Sequence, residues 1–309
     1  MIQRFRFGAP LPTGSVVQQI PTAAGEVPFF TADKDGSWRH TLAEDAIVYG
    51  LGEMPRGINK RGWHYIANNT DESHHGEDKL SYYGAHNFLL VDEGLGQRCF
   101  GVFVDFPGKV YYDIGYTEYS TLRFRTEEPD CDLYILTGEN PNDICRQFRQ
   151  LIGRSYIPPK WAFGLAQSRW GYKTADDVRE VVRQYRENDM PLDMVVLDID
   201  YMQGYADFTV NKERFPDLAA LAAEMKAQGI RLVPIIDAGV RIDPNDPTCT
   251  EGLEKGYFCT KADGTPFVAA VWPGKAYFAD FLRPEVREWF GHKYKVLTDC
   301  GIEGFWNDM

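Results

Sequence analysis

The sequence is most informative first through what it lacks. It has no apolar run near the roughly 18–20 residues that cross a bilayer, so no membrane span is expected. Its start, "MIQRFRFGAP", carries arginines with no apolar stretch behind them, so no secretory leader is expected either. Basic residues are outnumbered: 33 Lys and Arg against 45 Asp and Glu, a net charge of −12 and a pI near 5.0. That balance argues against nucleic acid or an anionic membrane as partner, because both select basic faces. The six cysteines, Cys99, Cys131, Cys145, Cys249, Cys259 and Cys300, form no CxxC pair. A chain of this size does not need disulfide staples, so reduced and mostly buried thiols in a cytoplasmic protein are expected. There is no low-complexity tract. With 44% hydrophobic and 25% charged residues, the 309-residue chain is globular and long enough for two domains.

What is present falls into two textures. Up to about residue 140, short runs are bounded by Gly, Pro, Asn and Asp. "TLRFR" puts Leu122 and Phe124 on one face and Arg123 and Arg125 on the other. "CDLYIL" puts Cys131, Leu133 and Ile135 on one side. "RCFGVFVDF" and "KVYYDIGY" are further strands, and many short strands without helical period predict a β-sandwich. "NPNDICRQFRQLIGRS" then reads as a helix with Pro141 near its start and Ile144, Phe148, Leu151 and Ile152 on one face. Pro158-Pro159 forces an extended linker after it.

From there strand and helix alternate. "WAFGLAQSRWG", "LDMVVLDID", "IRLVPIIDAGV" and "IEGFWNDM" read as four strands. The three helices between them begin at a Thr174–Asp177 capping box, in "PDLAALAAEMKAQG", and at Pro284. Continuous apolar strands imply a parallel sheet covered on both faces. An open doubly wound sheet calls for a glycine-rich phosphate loop after its first strand, and "QSRWGYKT" is not one. The expected organisation is a β-sandwich over 1–140, a helix and Pro-rich linker over 141–160, and the first four units of a (β/α)8 TIM barrel over 161–309.

Each predicted strand ends on polar or aromatic groups: Arg169 and Trp170, Asp198 and Asp200, Asp237, and Asp308. In a barrel these ends share one face around one axis. Carboxylates converging there suit a reaction that develops positive charge, such as the oxocarbenium-like species of glycoside cleavage. Trp170, Trp272 and Trp306 offer apolar faces for a pyranose ring. The plainer readings are that a strand-end Asp caps a turn and that a Trp fills core. "DID" also fits a metal-dependent glycosyltransferase that would use Asp198 and Asp200. "NNTDESHHGED" resembles a metal cluster in composition only, lacking zinc-site spacing, and reads as a solvated loop.

Taken in order, "YGLGE", "NNTDE", "WAFGLAQSRWGY", "LDIDYM", "VWPG" and "EGFWNDM" resemble glycoside hydrolase family 31, especially its bacterial α-glucosidases, over almost the whole chain. The resemblance implies retaining hydrolysis of terminal α-linked glucose from oligosaccharides, with no metal and no organic cofactor. It makes Asp308 the nucleophile. It assigns sugar binding to Asp198 with Ile199 beside it, to Trp170, Trp272, Trp306 and Met309, and to Asp71 on a loop of the first domain. In the family "WNDM" continues "NEP", and the acid/base Asp lies on a later barrel segment. The resemblance therefore implies the N-terminal part of a longer enzyme, inactive by itself. α-Xylosidase or another α-glycosidase activity, or a non-catalytic carbohydrate-binding role, is the alternative, and a homo-oligomer is left open.

Overall fold

The computed structural model describes residues 1–94 and 98–308, which divide into two compact units, Met1–Tyr156 and Ile157–Met309. The described residues of the first unit form ten strands: β1 (Ile2–Phe7), β2 (Thr31–Ala32), β3 (Trp38–Thr41), β4 (Ile47–Gly52), β5 (Trp63–Ala67), β6 (Ala85–Asp92), β7 (Cys99–Asp105), β8 (Val110–Ile114), β9 (Thr121–Thr126) and β10 (Cys131–Gly138). They form two antiparallel sheets, ordered β1-β10-β7-β6-β4 and β2-β3-β9-β8-β5. The period-2 alternation of a strand sends alternate side chains to opposite faces. Accordingly Leu122 and Phe124 of β9 meet Leu133 and Ile135 of β10 in the core between the sheets, and Arg123 and Arg125 stay outside it. β10 is buried on both faces, and helix α1 (Pro141–Ile152) covers part of the outer one. Ile144 and Leu151 are fully buried there, and Phe148 stacks on Phe88 at 3.8 Å between ring centroids. Ile152, expected on that face, is exposed.

In the second unit the strands β11 (Ala166–Gln167), β12 (Met194–Leu197), β13 (Arg231–Asp237) and β17 (Trp306–Asp308) lie side by side in sequence order, all parallel. No strand order reverses, so this is the partial barrel and not a doubly wound sheet. Helices α2 (Ala175–Glu187), α3 (Leu218–Ala227) and α5 (Pro284–Lys293) cover it through Val178, Val182, Leu221, Met225 and Val286. The capping box of α2 forms as expected, with Thr174 and Asp177 each bonding the other's backbone N–H. A one-turn helix α6 (Lys295–Thr298) follows α5.

Three features differ from the reading of the sequence. The first barrel strand is two residues long and preceded by a 3-10 turn at Lys160–Phe163, and just before it the Leu165 N–H donates to the Asp193 carboxylate at 2.9 Å. The run "IIDAGV" is broken after Asp237. A small antiparallel sheet, β14 (Gly239–Arg241), β15 (Val268–Val271) and β16 (Gly274–Phe278), projects from that point with a short helix α4 (Pro247–Glu254). Gly239 permits the break, since a Cβ there would sit 2.5 Å from the Val271 side chain. Finally, half of the cysteines are buried (Cys99, Cys131 and Cys249), and Cys145 is exposed.

Candidate active site

The C-terminal ends of the parallel strands bring three carboxylates together. Asp198 directly follows β12, Asp237 is the last residue of β13, and Asp308 is the last of β17. The β13–β17 register pairs Asp237 with Asp308 across adjacent strands. Asp237 is 2% exposed, and neither carboxylate oxygen has a hydrogen-bond partner among the described residues. Burial chiefly, and then the charges of Asp308 and Asp198, push its carboxyl up to about 6. Burial also raises Asp198, with the charges of Asp200 and Asp308 adding to it. The Ile199 N–H, donating to Asp198 Oδ1 at 2.8 Å, opposes that rise. Among the described residues no cation pairs with Asp198, Asp237 or Asp308, so the acid cluster is poised to receive positive charge.

The neighbouring acid of the "DID" run does other work. Asp200 is 3% exposed, and its Oδ1 accepts from Arg214 at 3.0 Å. Ile199 is itself core, 2% exposed, so its N–H rather than its side chain reaches toward the site. The Tyr201 hydroxyl donates to the Ile235 carbonyl at 2.8 Å, tying the short turn after β12 to β13.

Two tryptophans meet in loops of the same unit. Trp170 occupies the turn after β11 and Trp272 the hairpin between β15 and β16, and their ring centroids are 6.2 Å apart. They are 60% and 53% exposed, so they present aromatic faces instead of filling core. Trp306 is partly buried against the barrel core. Asp71 is exposed on the loop between β5 and β6 of the first unit. That loop is held by its own contacts, including Glu72 with Lys79 at 3.2 Å, and among the described residues it assembles no metal-binding group. Met309 lies outside the described residues.

Asp207 was missed by the reading of the sequence. It falls in "GYADFT", a stretch with no strand or helix period, 4% exposed. Its Oδ1 accepts the Asp237 N–H at 3.1 Å. Burial first, then the Asp237 charge, push its carboxyl up to about 8.

Comparison with known proteins agrees with this architecture. Residues 155–309 match the glycosyl hydrolases family 31 TIM-barrel domain, and residues 25–113 the glycosyl hydrolase 31 N-terminal galactose mutarotase-like domain. The chain is 41% identical over 263 residues to alpha-glucosidase 2 of Bacillus thermoamyloliquefaciens, covering 84% of this chain and 33% of that protein. It is 31% identical over 278 residues to alpha-xylosidase 1 of Arabidopsis thaliana, covering 87% and 30%. The structure of a Flavobacterium johnsoniae GH31 dextranase complexed with glucose superposes with a TM-score of 0.80 at 26% identity, covering 91% of this chain and 34% of the other. The chain thus spans about a third of the length of these relatives. Two domain matches in the right order, over the observed sandwich and partial barrel, establish that this chain belongs to glycoside hydrolase family 31.

Proposed function

We propose that the protein to which these residues belong is a retaining α-glucosidase acting on the terminal α-linked glucose of oligosaccharides, with Asp308 as nucleophile. The observation that carries this reading is the uncompensated cluster of Asp198, Asp237 and Asp308 at adjacent strand ends. Asp308 attacks the anomeric carbon as the bond to the leaving oxygen breaks, giving a covalent glycosyl-enzyme. The leaving oxygen takes its proton from an acid, which the family resemblance assigns to an Asp on a later barrel segment. Water then attacks the same carbon, giving its proton back to that residue, and the two inversions leave the α configuration. The cation-like transition state gains from the nearby carboxylates because charge attracts charge most strongly in a site that excludes water. Asp198 and Asp237 bind sugar hydroxyls beside the reacting carbon. Trp306 lines the same pocket, and Trp170 and Trp272 flank the outer part of the substrate.

Glucose, rather than xylose, is supported by the higher identity to the α-glucosidase relative. Six free thiols support a reducing, cytoplasmic setting. With full-length enzyme and an aryl α-glucoside, NMR of the first turnover is expected to show α-glucose before mutarotation. The β anomer released first would overturn retention. A higher kcat/KM on the aryl α-xyloside would overturn the choice of sugar.

A further inference from the structure

The loop that carries Asp207 grips two of the acid-bearing strands at once. Its backbone is held in an uncommon conformation: Tyr205 and Phe208, on either side of Asp207, have φ of 60° and 61°. Such residues persist only where their surroundings over-determine them. Here the Thr209 hydroxyl does so, accepting the Gln203 N–H at 2.9 Å and donating to the Ala206 carbonyl at 2.5 Å. From this turn Asp207 Oδ1 reaches the N–H of Asp237, the terminal residue of β13. The next residue, Phe208, packs edge-on against Tyr294 at 5.3 Å, and the Tyr294 hydroxyl donates to Asn307 Oδ1 at 2.6 Å. Asn307 immediately precedes Asp308 in β17. One loop therefore bears on the backbone under one acid and on the residue beside another.

We propose that Asp207 is a positioning residue for the glycosidase reaction. By accepting the Asp237 N–H it fixes the end of β13, and so the direction in which the Asp237 carboxylate faces the sugar. This rests on the active-site reading above. An ordinary β13–β17 ladder bond would hold the strand as well. A carboxyl brought in from another loop also fixes where the strand stops, just where the chain turns away into β14. The burial that keeps the Asp207 carboxyl protonated has a use here. A neutral acid accepts the N–H without adding a further negative charge behind Asp237.

The test is a double-mutant cycle in the full-length enzyme on an aryl α-glucoside. Asp207→Ala removes the acceptor and is expected to lower kcat/KM roughly 10–100-fold, the scale of a small misplacement in an active site. In an Asp237→Ala background the same change is expected to cost less than about threefold, since Asp207 acts through Asp237. Asp207→Asn, whose amide oxygen accepts the same N–H, is expected to restore most of what Ala loses. A loss of the same size in both backgrounds overturns the proposal, as does a folded Asp207→Ala enzyme with native kcat/KM. If the Ala variant does not fold, the Asn variant decides: a folded Asn enzyme weakened more than about tenfold overturns the proposal, and near-native activity supports it. An Asp237→Ala enzyme with native activity would instead sink the active-site reading itself.

Discussion

Asp132 in the sandwich and Asp237 in the partial barrel are both almost inaccessible, at 6% and 2% exposed, and the two units treat them in opposite ways. Burial pushes the Asp132 carboxyl up, but hydrogen bonds from Arg6 and Arg4 outweigh it and hold the group below the usual carboxylate range. Asp237 has acids for neighbours and rises to about 6. Among buried carboxylates the pattern extends beyond this pair. In the sandwich, His40 meets Glu93 at 2.6 Å, and the Lys60 ammonium donates to the carbonyls of Met54, Pro55 and Gly57. In the barrel unit, one oxygen each of Asp200 and Asp207 and both of Asp237 are buried without a partner among the described residues. A buried charge that is fully paired is serving the fold, since breaking such a pair is costly. A buried charge left unpaired lowers stability, and a fold retains it where a site needs it.

The comparison can be broken most forcefully at Asp308. In the full-length enzyme, Asp308→Asn keeps the shape and removes the charge of the proposed nucleophile. We expect kcat to fall on the order of 10⁴-fold or more, because groups that act as a unit fail together. A modest drop would remove Asp308 from the chemistry.

Asp237→Asn separates function from stability. It is expected to lower kcat/KM about 100-fold while leaving the urea midpoint equal or higher, because an unpaired buried acid is lost. The pH profile sharpens the same point. Asp237 is ionised above about 6, so activity that needs the carboxylate falls as pH drops through that value. The acidic limb near 6 should be absent from what activity the Asn variant retains. Since its folded pKa lies above the ordinary aspartate value, ionising Asp237 also costs stability as pH rises from about 4 to about 6.

The sandwich supplies the converse. Glu93→Ala strips His40 of a buried partner and is expected to destabilise the protein by about 3 kcal/mol, read from denaturant unfolding. A change below about 0.5 kcal/mol would show that this buried hydrogen-bonded pair is not structural. The smallest expected effect is on linkage. Trp170 is exposed beside Trp272 and lacks the hydroxyl of tyrosine. Trp170→Tyr is expected to shift the isomaltose-to-maltose ratio of kcat/KM a few-fold toward maltose. An unmoved ratio means that Trp170 does not select the linkage.

The two units also differed in how far their sequences could be read. Alternation along β9 and β10 announced which side chains face the sandwich core, because a strand's period of 2 survives in any context. The helices of the barrel announced themselves through a capping box, a proline at the first turn and an apolar stripe. The three-stranded sheet after Asp237 did not, since strands of three to five residues are too short to carry a usable period. At the site, Asp198, Asp237 and Asp308 were legible as polar ends to apolar runs. Asp207 was not, because its role depends on a loop that folds back onto β13 from 30 residues earlier in the chain. Ile199 was legible as a residue beside the site, but only burial revealed that its backbone faces Asp198 while its side chain joins the core.

The central claim is that Asp308 makes a covalent bond to the sugar. The most direct measurement is to treat the full-length enzyme with an activated 5-fluoro-α-glucosyl donor, which slows turnover of the intermediate, and to map the labelled peptide by mass spectrometry. The account predicts one fluoroglucosyl group per active site, on the peptide containing "EGFWNDM", with fragmentation placing it on Asp308. Label on a different carboxylate, or steady turnover of the donor with no trapped adduct, would contradict it.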